Sequence, residues 1–194
     1  ARNLFRSRVA APALRLANLM QLAHNLSVDL YVEQVIGKAK LVVVRLIGGT
    51  GYWPYGIEQI AGIAREKGIA LAFIPGDDQT DPELMSLSTL PAQTVQRIWG
   101  YFLHGGIDNA IALLNHAGTL IGEGAPWAEP APLMRCGLYW PGLEMPGLED
   151  LRAHWEPAKP AAAIVFYRAL VQAGNLKPVD ALISALADRG LNPL

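Results

Sequence analysis

The apolar positions of the chain predict two buried strands with a helix between them. Leu41–Leu46 and residues 69–74 are almost continuous apolar runs, and such runs are typical of parallel strands that are covered on both faces. Between the runs, Pro54 starts a segment whose apolar residues recur at intervals of three and four until Gly68, which is the pattern of an amphipathic helix. This order predicts two adjacent parallel strands joined by a right-handed crossover.

The segments on either side of this unit are predicted to be a strand and a set of helices. Residues 14–22 carry apolar positions that fit a strand, and Ser27 is a suitable cap for the helix that follows. Downstream, Asp81 and Pro82 are expected to form a cap and a first helical turn. Two further helical patterns are separated by a pair of glycines, and they predict an inserted antiparallel pair of helices.

The second half of the chain is rich in proline before the apolar pattern resumes. Seven prolines fall between residues 122 and 160, which is typical of a connector, and residues 136–140 inside it form one short predicted strand. The apolar run 161–168 then predicts another buried strand, which is followed by a turn and a helix. We therefore expect three parts, of which the last is truncated: a first α/β unit (14–122), a Pro-rich connector (123–160) and the start of a second α/β unit (161–194).

Composition agrees with a chain of α/β class, with parallel-sheet layers, helices on both faces and the inserted helix pair. The chain has 194 residues, of which 52% are hydrophobic, and this is enough for a substantial core. Its net charge is −1 and its Lys and Arg residues are scattered, which argues against a nucleic-acid-binding protein. The single cysteine, Cys136, excludes an internal disulfide framework and is expected to be a small core residue. No apolar run approaches the roughly 18 to 20 residues of a membrane span, so we expect a soluble, cytoplasmic protein.

The glycine turn after the first strand does not carry a phosphate-binding fingerprint. Gly49 and Gly51 fit the first two glycines of the dinucleotide pattern, but Pro54 occupies the third glycine position. A P-loop requires Lys followed by Ser or Thr after its last glycine, whereas isoleucine follows Gly56. We therefore predict that Gly48, Gly49 and Gly51 serve chain reversal and that this chain binds no nucleotide cofactor.

Asp77 and Asp78 are the candidate metal ligands of this sequence. They stand just beyond the carboxyl end of the second predicted strand, where open α/β sheets present their ligands, and paired carboxylates suit a divalent cation. Alternatively, they close a turn through hydrogen bonds to backbone N–H groups and help to start the next helix. The four histidines contain no pair at the spacing that would place two imidazoles on one helix face.

Aromatic and arginine side chains are the candidate substrate contacts. The aromatic candidates lie beside a turn or in a short predicted strand: Tyr52, Trp53, Tyr55, Tyr139 and Trp140. A flat aromatic surface would suit a planar ring system, but aromatic residues beside a turn also pack between layers. Arg45 and Arg168 end or nearly end predicted strands, and each suits either a substrate carboxylate or an internal ion pair.

Several segments of the chain, taken in order, resemble a known enzyme family. The segments are LRLANLMQL, SVDLYVEQ, LVVVRLIGGTGYWPYGIEQ, IPGDD, LSTL, GLYWPG and IVFYRALVQAGNLKPVDALISAL. Together they cover nearly the whole chain, and they resemble the N-terminal portion of the large subunit of the cobaltochelatases. The large subunit of magnesium chelatase is a more distant match.

This resemblance implies a function that the residue pattern alone does not supply. It implies a very large subunit that binds a corrin-ring precursor and inserts Co(II) into hydrogenobyrinic acid a,c-diamide on the aerobic route to cobalamin. It also implies that ATP is hydrolysed by separate AAA+ partner subunits. The present chain is then expected to be the head part of a longer polypeptide, and the isolated chain is expected to be inactive. The alternatives are a magnesium chelatase large subunit and a stand-alone α/β module that binds a small molecule.

Overall fold

The chain divides into two compact units. In a computed structural model, the chain is described over residues 13–132 and 135–194. One unit comprises the described residues up to 104 together with 108–131, and the other comprises 105–107 with the described residues from 132 onwards. Residues 133 and 134 of the predicted connector lie outside the described residues. The predicted boundaries of the three parts stay a prediction.

The first unit contains a parallel strand pair and the longer helices around it. Its elements in chain order are α1 (Asn25–Gln34), β1 (Leu41–Leu46), α2 (Pro54–Lys67), β2 (Ala70–Pro75), α3 (Pro82–Ser86), α4 (Ala92–His104) and α5 (Ile107–Leu120). The first residue of α5 belongs to the second unit. Two short 3-10 helices flank α1, at Leu19–Leu22 and Ile36–Lys38.

Strands β1 and β2 are adjacent and parallel, which confirms the prediction from the two apolar runs. Leu41 lies opposite Ala70 and Leu46 lies opposite Pro75 at the two ends of the ladder. Phe73 in the middle of β2 is fully buried. A strand with both faces covered has no position for a polar side chain, and this is why its sequence is continuously apolar instead of alternating.

Helices cover both faces of this strand pair. On one face, Val44 and Phe73 share a core cluster with Ile60 of α2. On the other face, Ile74 shares a core cluster with Ile98 of α4. Successive strand residues point to opposite faces, so Phe73 and Ile74 each serve a different cluster. The α/β class with helices on both faces is confirmed.

Local signals set the ends of the helices that follow the two strands. Helix α2 begins at Pro54 and is closed by Gly68, whose φ of 66° is the left-handed conformation that glycine tolerates. Asp81 caps α3, because its Oδ1 accepts a hydrogen bond of 2.9 Å from the backbone N–H of Leu84. These three helix ends agree with the predictions from the sequence. The predicted cap at Ser27 is wrong, since α1 begins two residues earlier at Asn25.

The predicted strand over residues 14–22 is also wrong. Its last part forms the 3-10 helix Leu19–Leu22, and the preceding residues are irregular. The side chain of Asn18 caps this turn by accepting a hydrogen bond of 3.0 Å from the N–H of Met20. An apolar pattern becomes a strand only where a second strand offers its hydrogen bonds, and β1 pairs with β2 instead.

The second unit is a smaller α/β arrangement. Its elements are α6 (Leu148–Arg152), β3 (Ala161–Ala162), α7 (Ala169–Ala173), α8 (Lys177–Asp188) and β4 (Asn192–Pro193). Strand β3 pairs in parallel with β4. None of the helices in the described part of the chain is long and apolar enough to cross a membrane.

Three predictions about this unit are wrong. The predicted buried strand over residues 161–168 is reduced to β3, and the side chains of Val165 and Tyr167 beyond it are 94% and 87% exposed. Ala161 pairs with Asn192 and Ala162 with Pro193, and beyond these pairs the N–H of Ile164 donates a hydrogen bond to the carbonyl of Leu194. Residues 136–140 do not form a strand. Cys136 is exposed and is therefore not a core residue.

Candidate functional site

The first unit has a cleft at the carboxyl ends of β1 and β2. Its volume is about 380 Å³, and it is lined by Gly48 and Gly49 after β1 and by residues 77–83 after β2, apart from Asp78. Pockets that hold small molecules usually measure about 300 to 1,000 Å³. Open α/β sheets bind their ligands beyond the carboxyl ends of their strands, so this cleft is the candidate functional site.

The glycine turn allows the backbone to reverse close to an acidic side chain. Gly48 and Gly49 have φ values of 94° and 66°, and residues with a Cβ rarely adopt such values. A Cβ at Gly49 would lie 2.9 Å from Oδ2 of Asp81. The predicted role in chain reversal therefore fits these two glycines. It does not fit Gly51, because a Cβ there would meet open space and its φ is not positive.

Asp77 and Asp78 take part in a local turn at the edge of the cleft. Oδ1 of Asp77 accepts a hydrogen bond of 3.1 Å from the backbone N–H of Gln79, and Oδ1 of Asp78 accepts one of 3.3 Å from the Gln79 side chain. These contacts match the turn that the sequence offered as the alternative to a metal site. Among residues 13–132 and 135–194, no three His, Cys, Asp or Glu side chains are grouped to hold a metal ion. The metal-binding role of Asp77 and Asp78 stays a prediction.

Two further carboxylates line the cleft beside them. Asp81 uses Oδ1 to cap α3, so its Oδ2 lies on the side of the glycine turn. Glu83 lies in the first turn of α3, and its Oε1 accepts a hydrogen bond of 3.2 Å from the hydroxyl of Thr50. With Asp77, these side chains give the cleft a negative lining. The cleft is therefore suited to cations and to N–H donors, and it disfavours phosphates and carboxylates.

Arg45 holds the backbone beneath the cleft, and it forms no ion pair with a carboxylate among the described residues. Its Nη2 donates a hydrogen bond of 2.5 Å to the carbonyl of Gly76, and its guanidinium lies 5.5 Å from the centre of the Phe102 ring. The first contact ties the last part of β1 to the turn that follows β2. A cation over an aromatic face adds to the same attachment. Arg168, the other arginine candidate, lies exposed just before α7 in the second unit.

The three aromatic candidates near the glycine turn do not form one flat surface. Tyr52 is 60% exposed, whereas Trp53 is 8% exposed and donates a hydrogen bond of 3.0 Å from Nε1 to the carbonyl of Leu22. Tyr55 donates a hydrogen bond of 2.7 Å to Oδ1 of Asp29, and this bond raises the pKa of Tyr55. Each ring has a different neighbour, so only Tyr52 is free to contact a ligand with its face. A substrate contact by these residues stays a prediction.

The aromatic candidates of the second unit also have partners within their own unit. Tyr139 donates a hydrogen bond of 2.6 Å to Oδ1 of Asp180, and burial followed by this contact raises its pKa to about 12. The ring of Trp140 stacks on His154, with 4.7 Å between the ring centres. These rings stabilise the unit in which they lie.

Sequence reasoning missed Gln79, Thr80 and Glu83 as lining residues of the cleft. They belong to the segment that follows β2 directly, and the rule that ligands bind beyond the carboxyl ends of parallel strands points to that segment as a whole. In the sequence, only the adjacent carboxylates of Asp77 and Asp78 form a recognisable motif in this segment. The signal for Gln79, Thr80 and Glu83 is their polar character in the segment that runs from the end of β2 into the first turn of α3.

Comparison with known proteins identifies the family. The CobN/Magnesium Chelatase family model matches residues 99–194. The chain is 44% identical over 184 residues to the aerobic cobaltochelatase subunit CobN of Pseudomonas aeruginosa, and 42% identical over 193 residues to the subunit of the same name from a Sinorhizobium species. The solved structure of the catalytic subunit of cobaltochelatase from Mycobacterium tuberculosis has a TM-score of 0.68 and 30% identity, and the match covers 98% of this chain. The two curated relatives are each matched over 94% of this chain.

The chain spans 15% of the length of these relatives, and it belongs to the CobN/magnesium chelatase family.

Proposed function

We propose that this chain is the head part of the large, substrate-binding subunit of an ATP-dependent cobaltochelatase. The complete subunit would insert Co(II) into hydrogenobyrinic acid a,c-diamide during cobalamin biosynthesis in the cytoplasm. The observation that carries this proposal is the 44% identity to an aerobic cobaltochelatase subunit over 94% of this chain. The similar fold of a cobaltochelatase catalytic subunit supports it independently of the sequence alignment.

In the proposed complex, the chemistry is divided between subunits. AAA+ ATPase subunits would hydrolyse ATP, while the large subunit would bind the tetrapyrrole and Co(II) as its substrates. The acidic lining of the cleft supports this division, because Asp77, Asp81 and Glu83 would repel the phosphates of a nucleotide. The isolated chain, which spans 15% of its relatives, would be inactive in metal insertion.

Within this proposal, the cleft contacts the amide-bearing edge of the tetrapyrrole. Amide N–H groups donate hydrogen bonds, and carboxylate oxygens accept them with more strength than neutral acceptors do. The carboxylate groups of the same substrate would be repelled by the negative lining. A diamide substrate can therefore be oriented by this cleft, with its amide groups inward.

Removal of the Glu83 carboxylate is expected to weaken substrate binding by the full-length subunit. In a cobalt-insertion assay with purified ATPase partners, Glu83→Ala should raise the KM for the tetrapyrrole about tenfold, because a hydrogen bond to a charged group is lost. The kcat should change little, since the contact is made equally in the ground state and the transition state. Glu66→Ala is the matched control, because Glu66 is an exposed carboxylate near the carboxyl end of α2, whereas the glycine turn precedes the amino end of this helix. If the two variants have equal KM values, the cleft is not part of the substrate-binding site.

The same assay separates the proposed function from its alternatives. Insertion of Mg(II) but not Co(II) by the full-length subunit would favour a magnesium chelatase, which the family name includes. Insertion of neither metal, with binding of the tetrapyrrole retained, would favour a binding module.

A further inference from the structure

His116 is a buried imidazole with unsatisfied nitrogen atoms. It lies on α5 and is 4% exposed, and neither ring nitrogen has a hydrogen-bond partner among the described residues. Its ring lies 4.3 Å from the ring of Trp127 and 6.2 Å from that of Tyr101, measured between centres. A buried polar group without a partner is costly. Such a residue calls for an explanation beyond packing.

The ring of Trp127 belongs to a segment that polar side chains hold against α4 and α5. We call residues 123–131 the strap. Asn109 forms two hydrogen bonds with Ala131, of 2.8 Å to its carbonyl and 2.9 Å from its N–H. Asn115 donates to the carbonyl of Pro126 at 2.9 Å, and the Tyr101 hydroxyl donates to the carbonyl of Ala128 at 2.5 Å. Individual side chains, and not a regular ladder, therefore hold the strap in place.

The charged groups that face His116 come from α4 and from the strap. Arg97 of α4 forms an ion pair with Glu129 of the strap at 2.8 Å, and its guanidinium lies 5.1 Å from the centre of the Trp127 ring. The hydrogen bond to Arg97 lowers the pKa of Glu129, which therefore stays charged. Tyr101, also on α4, stays neutral because burial raises its pKa.

These surroundings favour the neutral imidazole while the strap is closed. Burial lowers the pKa of His116, the positive charge of Arg97 lowers it further, and the negative charge of Glu129 opposes both effects. If the strap leaves, Trp127 leaves with it and the imidazole is exposed to water. The pKa of His116 would then return towards its ordinary value of about 6.5.

We propose that His116 is a pH-sensitive latch for the strap: the neutral imidazole packs beneath Trp127, and the protonated imidazole favours the open strap. The closed strap has its full stability above the ordinary histidine pKa of about 6.5 and loses stability as the pH falls towards the lower pKa of the closed form. Between these two values, each pH unit favours opening by a further factor of about ten.

Amide hydrogen exchange of the 194-residue chain tests the latch. The reporters are the N–H of Ala131, which donates to Asn109, and the N–H of Glu123, which donates to the carbonyl of Gly118. Between about pH 7.5 and 5.5, their protection factors, corrected for the intrinsic pH dependence of exchange, should fall up to about tenfold per pH unit below pH 6.5. The N–H of Leu71 in β2 should keep its protection, because the opening is local.

Two variants decide the cause of the pH dependence. His116→Phe keeps an aromatic ring but cannot be protonated, so its strap amides should keep constant protection over the same pH range. His154→Phe is the matched control, because the ring of His154 also contacts a tryptophan ring, but His154 is exposed and lies in the second unit. Equal pH dependence in wild type and His116→Phe would overturn the proposal.

A measurement on the wild-type chain covers the case in which His116→Phe does not fold. NMR titration of the His116 imidazole should show protonation coupled to the loss of strap protection. Protonation of the imidazole with unchanged protection at Ala131 and Glu123 would also overturn the latch.

Discussion

Replacement of Trp53 with alanine is expected to lower the free energy of unfolding of the first unit by about 3–5 kcal/mol. The ring is buried in the core cluster that contains β1, β2 and α2, and its Nε1 donates to the carbonyl of Leu22. The substitution leaves a cavity and removes the hydrogen bond to that carbonyl. Chemical denaturation followed by circular dichroism measures the loss. Tyr52→Ala is the matched control, because this neighbouring ring is 60% exposed, and its effect should stay within about 0.5 kcal/mol.

Gly56 supplies a second test of how Trp53 is packed. A Cβ at Gly56 would lie 2.1 Å from Cε2 of Trp53, so the glycine leaves room for the ring. Gly56→Ala should therefore destabilise the wild type by about 1–3 kcal/mol and should cost much less in the Trp53→Ala background. Additive effects of the two substitutions, or a loss below about 1 kcal/mol for Trp53→Ala, would contradict the packing role. The hypothesis of a ligand contact by Trp53 would then regain support.

Replacement of Asn192 with alanine is expected to destabilise the second unit by about 3 kcal/mol or more. This buried side chain donates from Nδ2 to the carbonyls of Glu156 and Lys159 and accepts at Oδ1 from the N–H of Glu156. The substitution removes three hydrogen bonds, each of which contributes about 0.5–1.5 kcal/mol to stability.

Hydrogen exchange at the N–H of Leu194, which donates to the carbonyl of Ala162 in the short ladder, is the measurement for Asn192. Its protection should fall about a hundredfold or more in Asn192→Ala. Asn175→Ala, which removes an exposed amide of the same unit, should change it less than about threefold. If both variants keep wild-type protection, Asn192 does not hold the segment 156–159 to β4.

The central part of the fold could be predicted because its signals are local. The two apolar runs and the helix between them lie within residues 41–75. Pro54 and Gly68 set helix ends through the backbone conformations that they favour, and Asp81 does so through a side-chain hydrogen bond. The location of the cleft follows from the same two strands, because ligands bind beyond the carboxyl ends of parallel strands. The sequence therefore indicates the edge of the sheet at which Asp77 lies.

The failed strand predictions share one physical cause. Residues 14–22, 136–140 and 161–168 are short apolar runs, and a short run is compatible with a strand, a turn or an irregular segment. A strand needs a partner whose hydrogen bonds it can share. That partner is remote in sequence: β3 finds two residues of β4, and the other two runs find none among the described residues.

The sequence by itself determined the α/β class, the adjacent parallel strands, the helix between them and the resemblance to the chelatase family. Tertiary structure alone decided where the individual side chains lie. Tyr52, Trp53 and Tyr55 are close in sequence, yet one is exposed, one enters the core and one binds Asp29. His116 gave no signal in the sequence, because its burial depends on a strap that folds back over α4 and α5. Contacts between distant segments set the burial and the partners of a side chain, and these depend on how the chain packs as a whole and not on any local pattern.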